Sequence, residues 1–228
     1  MTTPIIILLL YLYYNTGNKN LEMKKEKNFV IILLVKKMYT ISKNTSNEII
    51  IKNSRFITLL YKIKKPDEVP TLLDTVRKTY PKATHYCYAY KIEDNIKKAS
   101  DDGEPSGTAG LPMLNVLEKE DITNTLAITI RYFGGIKLGA GGLIRAYSKS
   151  VKETLKTIHK KELVPAYLCK LTFPYNKEKE ITRLLKDEQI IEKNYLEEIT
   201  YTVILRKDSS NLELLNPTIL ESKTIEKD

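Results

Sequence analysis

From Met38 onward the apolar residues fall into stretches of period two and stretches of period three to four, a mixture that predicts an α+β chain. Residues 48–51 and 55–63 are rich in β-formers and flank Lys52-Asn53-Ser54, which predicts an antiparallel hairpin. Residues 66–80 carry Val69, Leu72, Leu73 and Val76 at helical spacing, and Pro81 ends the run. Residues 85–92 alternate strictly, with His85, Cys87 and Ala89 on one face and Tyr86, Tyr88 and Tyr90 on the other. Residues 93–107 read as a polar loop. A short helix is expected over 108–118, with Pro112 in its first turn and Leu111, Leu114, Val116 and Leu117 as apolar contacts. Residues 126–133 form a strong strand pattern. A long helix should follow from Leu143 to about Lys161. Leu143, Tyr147, Val151, Leu155 and Ile158 mark its apolar face, and Arg145, Lys149, Lys152, Lys156 and Lys160 lie opposite.

Leu163-Val-Pro-Ala166 reads as a junction. Beyond it come a strand at 167–175, a helix at 177–187, strands at 190–194 and 198–207, and a weaker helix at 209–215 closed by Pro217. The order βαββα begins a ferredoxin-like module, with no fourth strand evident. Three segments result: 1–37, 38–164 and 165–228. In the first, the apolar runs at 5–14 and 29–35 are too short to span a bilayer and lack the flanks of a secretory signal. That segment is expected to be a leader, either disordered or upstream of a true start at Met38, with a membrane-associating leader as the alternative.

Charge sharpens the division. Of the net +9 over 228 residues, residues 38–164 contribute 21 basic against 14 acidic side chains, and residues 165–228 contribute 10 against 12. A basic region joined to a mildly acidic one suits a domain that meets polyanions. Cys87 and Cys169 stand far apart and the chain has two histidines, so no Cys/His metal site and no cofactor are expected. Reduced thiols fit a cytoplasmic protein.

Eight of the nine glycines lie between Gly103 and Gly142, in Asp101-Asp-Gly-Glu-Pro-Ser-Gly-Thr-Ala-Gly110 and Arg131-Tyr-Phe-Gly-Gly-Ile-Lys-Leu-Gly-Ala-Gly-Gly142. So many in one window suggests a site whose working parts are main-chain N–H groups. The second block joins a strand to a helix, where unpaired amides and the helix dipole favour an anion. Gly134, Gly135, Gly139, Gly141 and Gly142 would supply the amides, and Arg131, Lys137 and Arg145 the charge. Lys149, Lys152 and Lys156 would extend that surface along the helix, or simply form a solvated face. No Lys-Ser/Thr follows a loop glycine, and Ile144 stands where a GxGxxG would end, so neither P-loop nor Rossmann grammar is met. Close packing of the loop without a ligand is the competing reading. In the first block, Asp101, Asp102 and Glu104 either hold Mg²⁺ or make a turn at Asp102-Gly103 with Ser106 or Thr108 capping the next helix. Ser106 is outside any GxSxG, and His85 with Cys87 reads as a core pair before a nucleophile pair.

Both blocks, with Ser54-Arg-Phe56, Ala83-Thr-His85 and Ala89-Tyr90, closely resemble the signatures of the YigZ/IMPACT family. The resemblance runs from Met38 into the last segment. It singles out His85, Asp101, Asp102, Gly103, Glu104, Ser106, Gly107 and Thr108 as motif residues without assigning them roles. It implies a ribosomal-protein-S-five domain-two-like (GHMP-kinase-type) domain, followed in bacterial members by a ferredoxin-like domain similar to domain V of elongation factor G. Eukaryotic members carry a preceding RWD domain and regulate translation; this chain has no RWD-like segment. The function expected is a non-enzymatic, translation- or stress-linked protein that binds RNA or a ribosome-associated partner without membrane contact. The alternatives are a Mg-dependent enzyme on a small phosphorylated substrate or nucleotide, and a protein-interaction module without nucleic acid.

Overall fold

The computed structural model describes residues 21–26, 29–34 and 37–227. The chain divides into two compact units, Met1–Lys37 and Met38–Asp228. In the first, β1 (Leu21–Glu26) and β2 (Phe29–Leu34) pair antiparallel, with Leu21 opposite Leu34. The rest of the leader reading falls outside the described residues.

The second unit holds two antiparallel sheets. One is made of β4 (Thr45–Ile51), β5 (Ser54–Lys62), β6 (His85–Ile92), β7 (Ile96–Ser100) and β8 (Thr125–Tyr132), in the order β4-β5-β8-β6-β7. The β4–β5 hairpin turns on Lys52 and Asn53, both left-handed at φ 45° and 63°, the two-residue turn whose twist matches paired strands. Odd and even positions separate as period two demands. Phe56, Leu60, Cys87 and Ala89 bury on the face covered by α2 (Gly110–Lys119) and α3 (Ala140–Lys156). Ile57, Leu59, Tyr90, Leu126, Ile128 and Ile130 bury on the other face, under α1 (Glu68–Thr79). Inside the first face, the Thr58 hydroxyl lies 2.7 Å from that of Thr129 and 2.6 Å from that of Ser150, which pins α3 to two strands.

The second sheet contains β9 (Lys160–Phe173), β10 (Gln189–Tyr195), β11 (Ile199–Arg206) and β12 (Thr218–Glu226), in the order β10-β11-β9-β12. A short 3-10 turn (Tyr175–Lys177) leads into α4 (Glu178–Leu184), and α5 is Asn211–Leu215. Cys169, Leu171, Phe173, Leu185, Tyr201, Val203 and Leu205 form its core. β3 (Met38–Ile41) joins this sheet by pairing with the first four residues of β9.

Several elements depart from the sequence reading. The long helix runs from Ala140 to Lys156, so Lys160 belongs to β9, where it pairs with Glu120 at 2.6 Å and not with the cationic row. No turn interrupts Leu163–Ala166, which lie inside β9. The loop 93–107 contains β7, and the missing fourth strand is β12, which completes a ferredoxin-like sheet. Leu111, expected in the core, is 51 % exposed.

Candidate functional site

The two glycine blocks meet at the end of the first sheet. In the first block, Asp102 at φ 42° and Gly103 at φ 85° make the expected left-handed turn. That turn sends three neighbouring carboxylates in three directions. Asp101 takes backbone N–H bonds from Gly107 (2.8 Å), Ala109 (2.9 Å) and Gly110 (2.8 Å). Burial pushes its pKa up, and these three donors outweigh burial to hold the carboxyl below the ordinary range. Asp102 accepts from the Tyr86 N–H at 2.7 Å and from Arg77 at 3.2 Å. Glu104 turns inward. Its Oε1 accepts from Arg131 Nη1 at 2.6 Å and from the Tyr147 hydroxyl at 2.8 Å.

Three of the readings drawn from the sequence change here. The acidic trio does not converge as a magnesium site, and among the described residues no group of three or more His, Cys, Asp or Glu side chains has that geometry. Neither Ser106 nor Thr108 caps α2: the Thr108 hydroxyl donates to the Pro105 carbonyl at 2.6 Å, and Asp101 does the capping from nine residues before the first helical residue, Gly110. Arg131 is also displaced from its expected surface role. It is 5 % exposed, spent on Glu104, and lies against the Phe56 and Phe133 rings at 5.6 and 5.5 Å. A buried cation paired in this way is held for the fold and is not presented to a surface phosphate.

His85 stands opposite Arg131 in the β6–β8 register. Its Nδ1 lies 2.8 Å from the Asp102 carbonyl oxygen, and its Nε2 lies 3.9 Å from Glu104 Oε2. Cys87, two residues on, is fully buried, its Sγ lying 2.9 Å from the Asp101 carbonyl oxygen and 3.3 Å from the Tyr147 hydroxyl, either of which its one S–H can meet. Burial pushes its thiol up to about 12, so it is an inert core group. The Tyr147 hydroxyl is likewise driven up, chiefly by burial.

The second block lies beyond Arg131. Phe133 N–H bonds Thr84 Oγ1 at 3.1 Å and Gly134 N–H bonds Ser54 Oγ at 3.1 Å. A side chain at Gly134 would place its Cβ 2.1 Å from the Asn53 carbonyl carbon, so only glycine lets the chain pass the hairpin tip. After that the loop leaves the sheet. Gly135, Ile136, Lys137, Gly139, Ala140 and Gly141 are exposed. Within the helix start, the first bond is Leu143 N–H to the Gly139 carbonyl at 2.9 Å. The N–H groups of residues 135–142 meet no acceptor among the described residues. α3 has no side-chain cap and no acid in its first turn. Arg145 folds back over that turn, its Nη1 3.5 Å from where a Gly141 Cβ would be. Lys149, Lys152 and Lys156 follow on the exposed face, with Lys156 tied to Glu153 at 2.8 Å.

Sequence reasoning missed Tyr147 as a partner of Glu104, and the roles of Ser54 and Thr84 as anchors of the loop. Tyr147 was legible only as part of the apolar face of α3, and Ser54 and Thr84 only as members of the short motifs Ser54-Arg-Phe56 and Ala83-Thr-His85, which name no partner.

Residues 52–155 match the Impact N-terminal domain. Over 177 residues the chain is 41 % identical to the IMPACT family member YvyE of Bacillus subtilis, covering 76 % of this chain and 82 % of that protein. It is 36 % identical over 151 residues to the IMPACT family member YigZ of Escherichia coli, covering 64 % and 74 %. A crystal structure described as that of a hypothetical protein superposes with a TM-score of 0.58 at 28 % identity, over 84 % of this chain and 98 % of the other. With glycine blocks, hairpin tip and helix start assembled as above, the chain belongs to the IMPACT family.

Proposed function

We propose that this protein is a non-enzymatic, cytoplasmic factor linked to translation or stress, and that it binds RNA through the glycine loop and the exposed face of α3. The observation that carries the reading is the row of amides at residues 135–142 that meet no acceptor among the described residues, six of those residues being exposed, with Lys137 among them and Arg145 laid over the helix start. Cations normally stabilise the opposite end of a helix, so Arg145 and the dipole repel each other until an anion sits between them. Phosphate oxygens answer that charge, and Lys149 and Lys152 extend it along the helix. Phe133, 48 % exposed beside the loop, offers a ring on which a base can stack. Membership of the IMPACT family, and the translation-apparatus folds which the family resemblance implies for its two domains, support the link to translation. Among the described residues no helix is long and apolar enough to cross a membrane. The magnesium-enzyme reading loses support because each acid it needs already has a partner. Ile136 and Ile144, 45 % and 42 % exposed, favour a protein partner as the second reading.

Fluorescence anisotropy with a labelled single-stranded RNA, titrated at several salt concentrations, tests the proposal. About three phosphate contacts give a slope of log affinity on log salt near −2. Lys137→Glu with Arg145→Glu should weaken binding at least about tenfold and flatten that slope by about 1 to 2. Equal affinity of variant and wild type removes the reading, and a nuclease-resistant complex from lysate would then favour the protein partner.

A further inference from the structure

The two sheets of the second unit enclose a cavity of about 840 Å³, within the range of small-molecule sites. It lies away from the glycine loop. β5 anchors the loop at Ser54 and reaches the cavity at Lys62, eight residues on, or about 26 Å of strand. One wall carries an orphan. Thr40 is fully buried, and its Oγ1 has no hydrogen-bond partner among the described residues. Its neighbours Tyr39 and Ile41 pack against the core beneath α2 and α3. Alternation along β3 therefore turns Thr40 the other way, where it lines the cavity. Buried hydroxyls are almost always bonded, and an orphan on a cavity wall calls for an occupant that bonds it.

The other walls set the charge. Five basic side chains line the space against three acidic ones. The acids are occupied: Glu226 pairs with Lys62, Glu188 accepts from the Ser209 hydroxyl at 2.7 Å, and Asp187, 82 % exposed, stands 3.8 Å from Lys186. The bases are held more loosely. The Lys64 backbone N–H goes to Glu68, and its ammonium has no acid partner among the described residues. Arg206 and Lys227 stand 3.9 Å from Asp208 and Glu162, beyond hydrogen-bond length, and Lys223 lies 3.4 Å from Glu221. A surplus of cations asks for an anion, and their origin selects its kind. Lys62 and Lys64 come from the end of β5, whereas Arg206, Lys223 and Lys227 come from β11 and β12, so donors approach from two walls. A carboxylate accepts close to its own plane. A phosphate carries about two charges on tetrahedral oxygens and takes Lys and Arg from several directions at once.

We propose that the cavity between the sheets binds a small phosphorylated metabolite, with Lys64, Arg206 and Lys223 on its phosphate groups and the Thr40 hydroxyl bonded to it. The site is separate from the glycine loop and does not depend on the RNA-binding reading. Its test is calorimetric titration of the full chain with pyrophosphate, adenosine 5′-diphosphate, fructose 1,6-bisphosphate and citrate at matched ionic strength. At least one phosphate compound should bind about tenfold more tightly than citrate, and the tighter of the two organic phosphates tells a nucleotide from a sugar phosphate as the source. Arg206→Ala, at an exposed position, should weaken that binding at least about tenfold. Thr40→Val keeps the shape and removes the orphan. It should weaken binding several-fold while leaving the melting temperature of the ligand-free protein unchanged or higher. A lower melting temperature would show that the hydroxyl is already satisfied within the fold, and overturns its role as a ligand contact. The titrations are repeated on Lys137→Glu/Arg145→Glu. Binding lost there and untouched by Arg206→Ala would move the anion to the glycine loop and overturn the proposal. Equal binding of citrate overturns the assignment to phosphate, and no heat from any of the four compounds at millimolar concentration overturns the site itself.

Discussion

Asp101 does by itself what a helix cap usually does from next door. One carboxylate satisfies three N–H groups, two of them at the buried start of α2, and so welds the acidic block to that helix. Asp101→Asn keeps the shape but loses one acceptor and the charge, leaving at least one N–H unmet. The expected cost is about 1–3 kcal/mol at pH 7, read by urea unfolding. The sign with pH follows from the lowered pKa. A depressed carboxyl stabilises the fold above its unfolded value of 3.8, and that contribution is lost as pH falls through the folded value. The gap between wild type and variant should therefore be full at pH 7 and shrink below about pH 4. A gap that stayed constant into acid would rule out ionised Asp101 as its source. At this scale the sequence was partly legible. Glycine after Asp102 announced the turn, but nothing in Asp101-Asp-Gly-Glu104 showed that the turn would part the acids. Glu104 finds its partners 27 and 43 residues away, on β8 and α3, beyond the reach of local spacing.

The start of α3 is built against its own stability. It lacks a cap, lacks an acid in the first turn, and carries Arg145 over the positive end of its dipole. If that arrangement serves an anion, repairing it should stabilise the helix and harm binding. Ala140 is exposed at the first helical position, so Ala140→Asp introduces the missing charge without disturbing the core. The variant should gain about 0.5–1 kcal/mol in thermal unfolding and bind RNA several-fold more weakly. A gain in stability with unchanged RNA affinity would separate the helix start from the binding surface. Elements with strong periodicity were legible, including the faces of β6 and the apolar stripe of α3. The ones missed were marginal strands: β7 and β12 are mostly exposed and lack the alternation that burial imposes. Pro165 disguised β9. The Pro165 carbonyl accepts from Lys207 N–H at 2.9 Å, just past the last β11 pair at Arg206–Ala166, so its missing donor falls where the ladder ends and costs little.

At the scale of the molecule, β3 bridges the two sheets, alongside the ion pair between Lys62 of β5 and Glu226 of β12. β3 lends its backbone to the second sheet, with Met38 opposite Leu163 and Ile41 opposite Lys160. On its other side, Tyr39 N–H bonds the Asp121 carbonyl at 2.9 Å, and Thr123 N–H bonds the Tyr39 carbonyl at 2.8 Å. The Ile41 side chain is fully buried in the core beneath α2 and α3. One strand thus places its hydrogen bonds in one sheet and its side chain in the core of the other. β9 also follows α3 after three residues, so β3, that connection and the Lys62–Glu226 pair all join the sheets, and the unit should unfold cooperatively. Ile41→Ala leaves every backbone bond of β3 in place and removes about 2–5 kcal/mol of packing from the first core. If β3 couples the sheets, that loss reaches the second one: hydrogen exchange should accelerate at the paired amides of β9 and also at the β10–β11 ladder, within a single thermal transition. Two transitions, with only the first shifted, would show the sheets to be independent. Coupling bears on the candidate site as well, since the same core carries Tyr147 and through it Glu104, so a strand remote from the glycine loop contributes to holding the His85–Glu104 pair at its observed spacing.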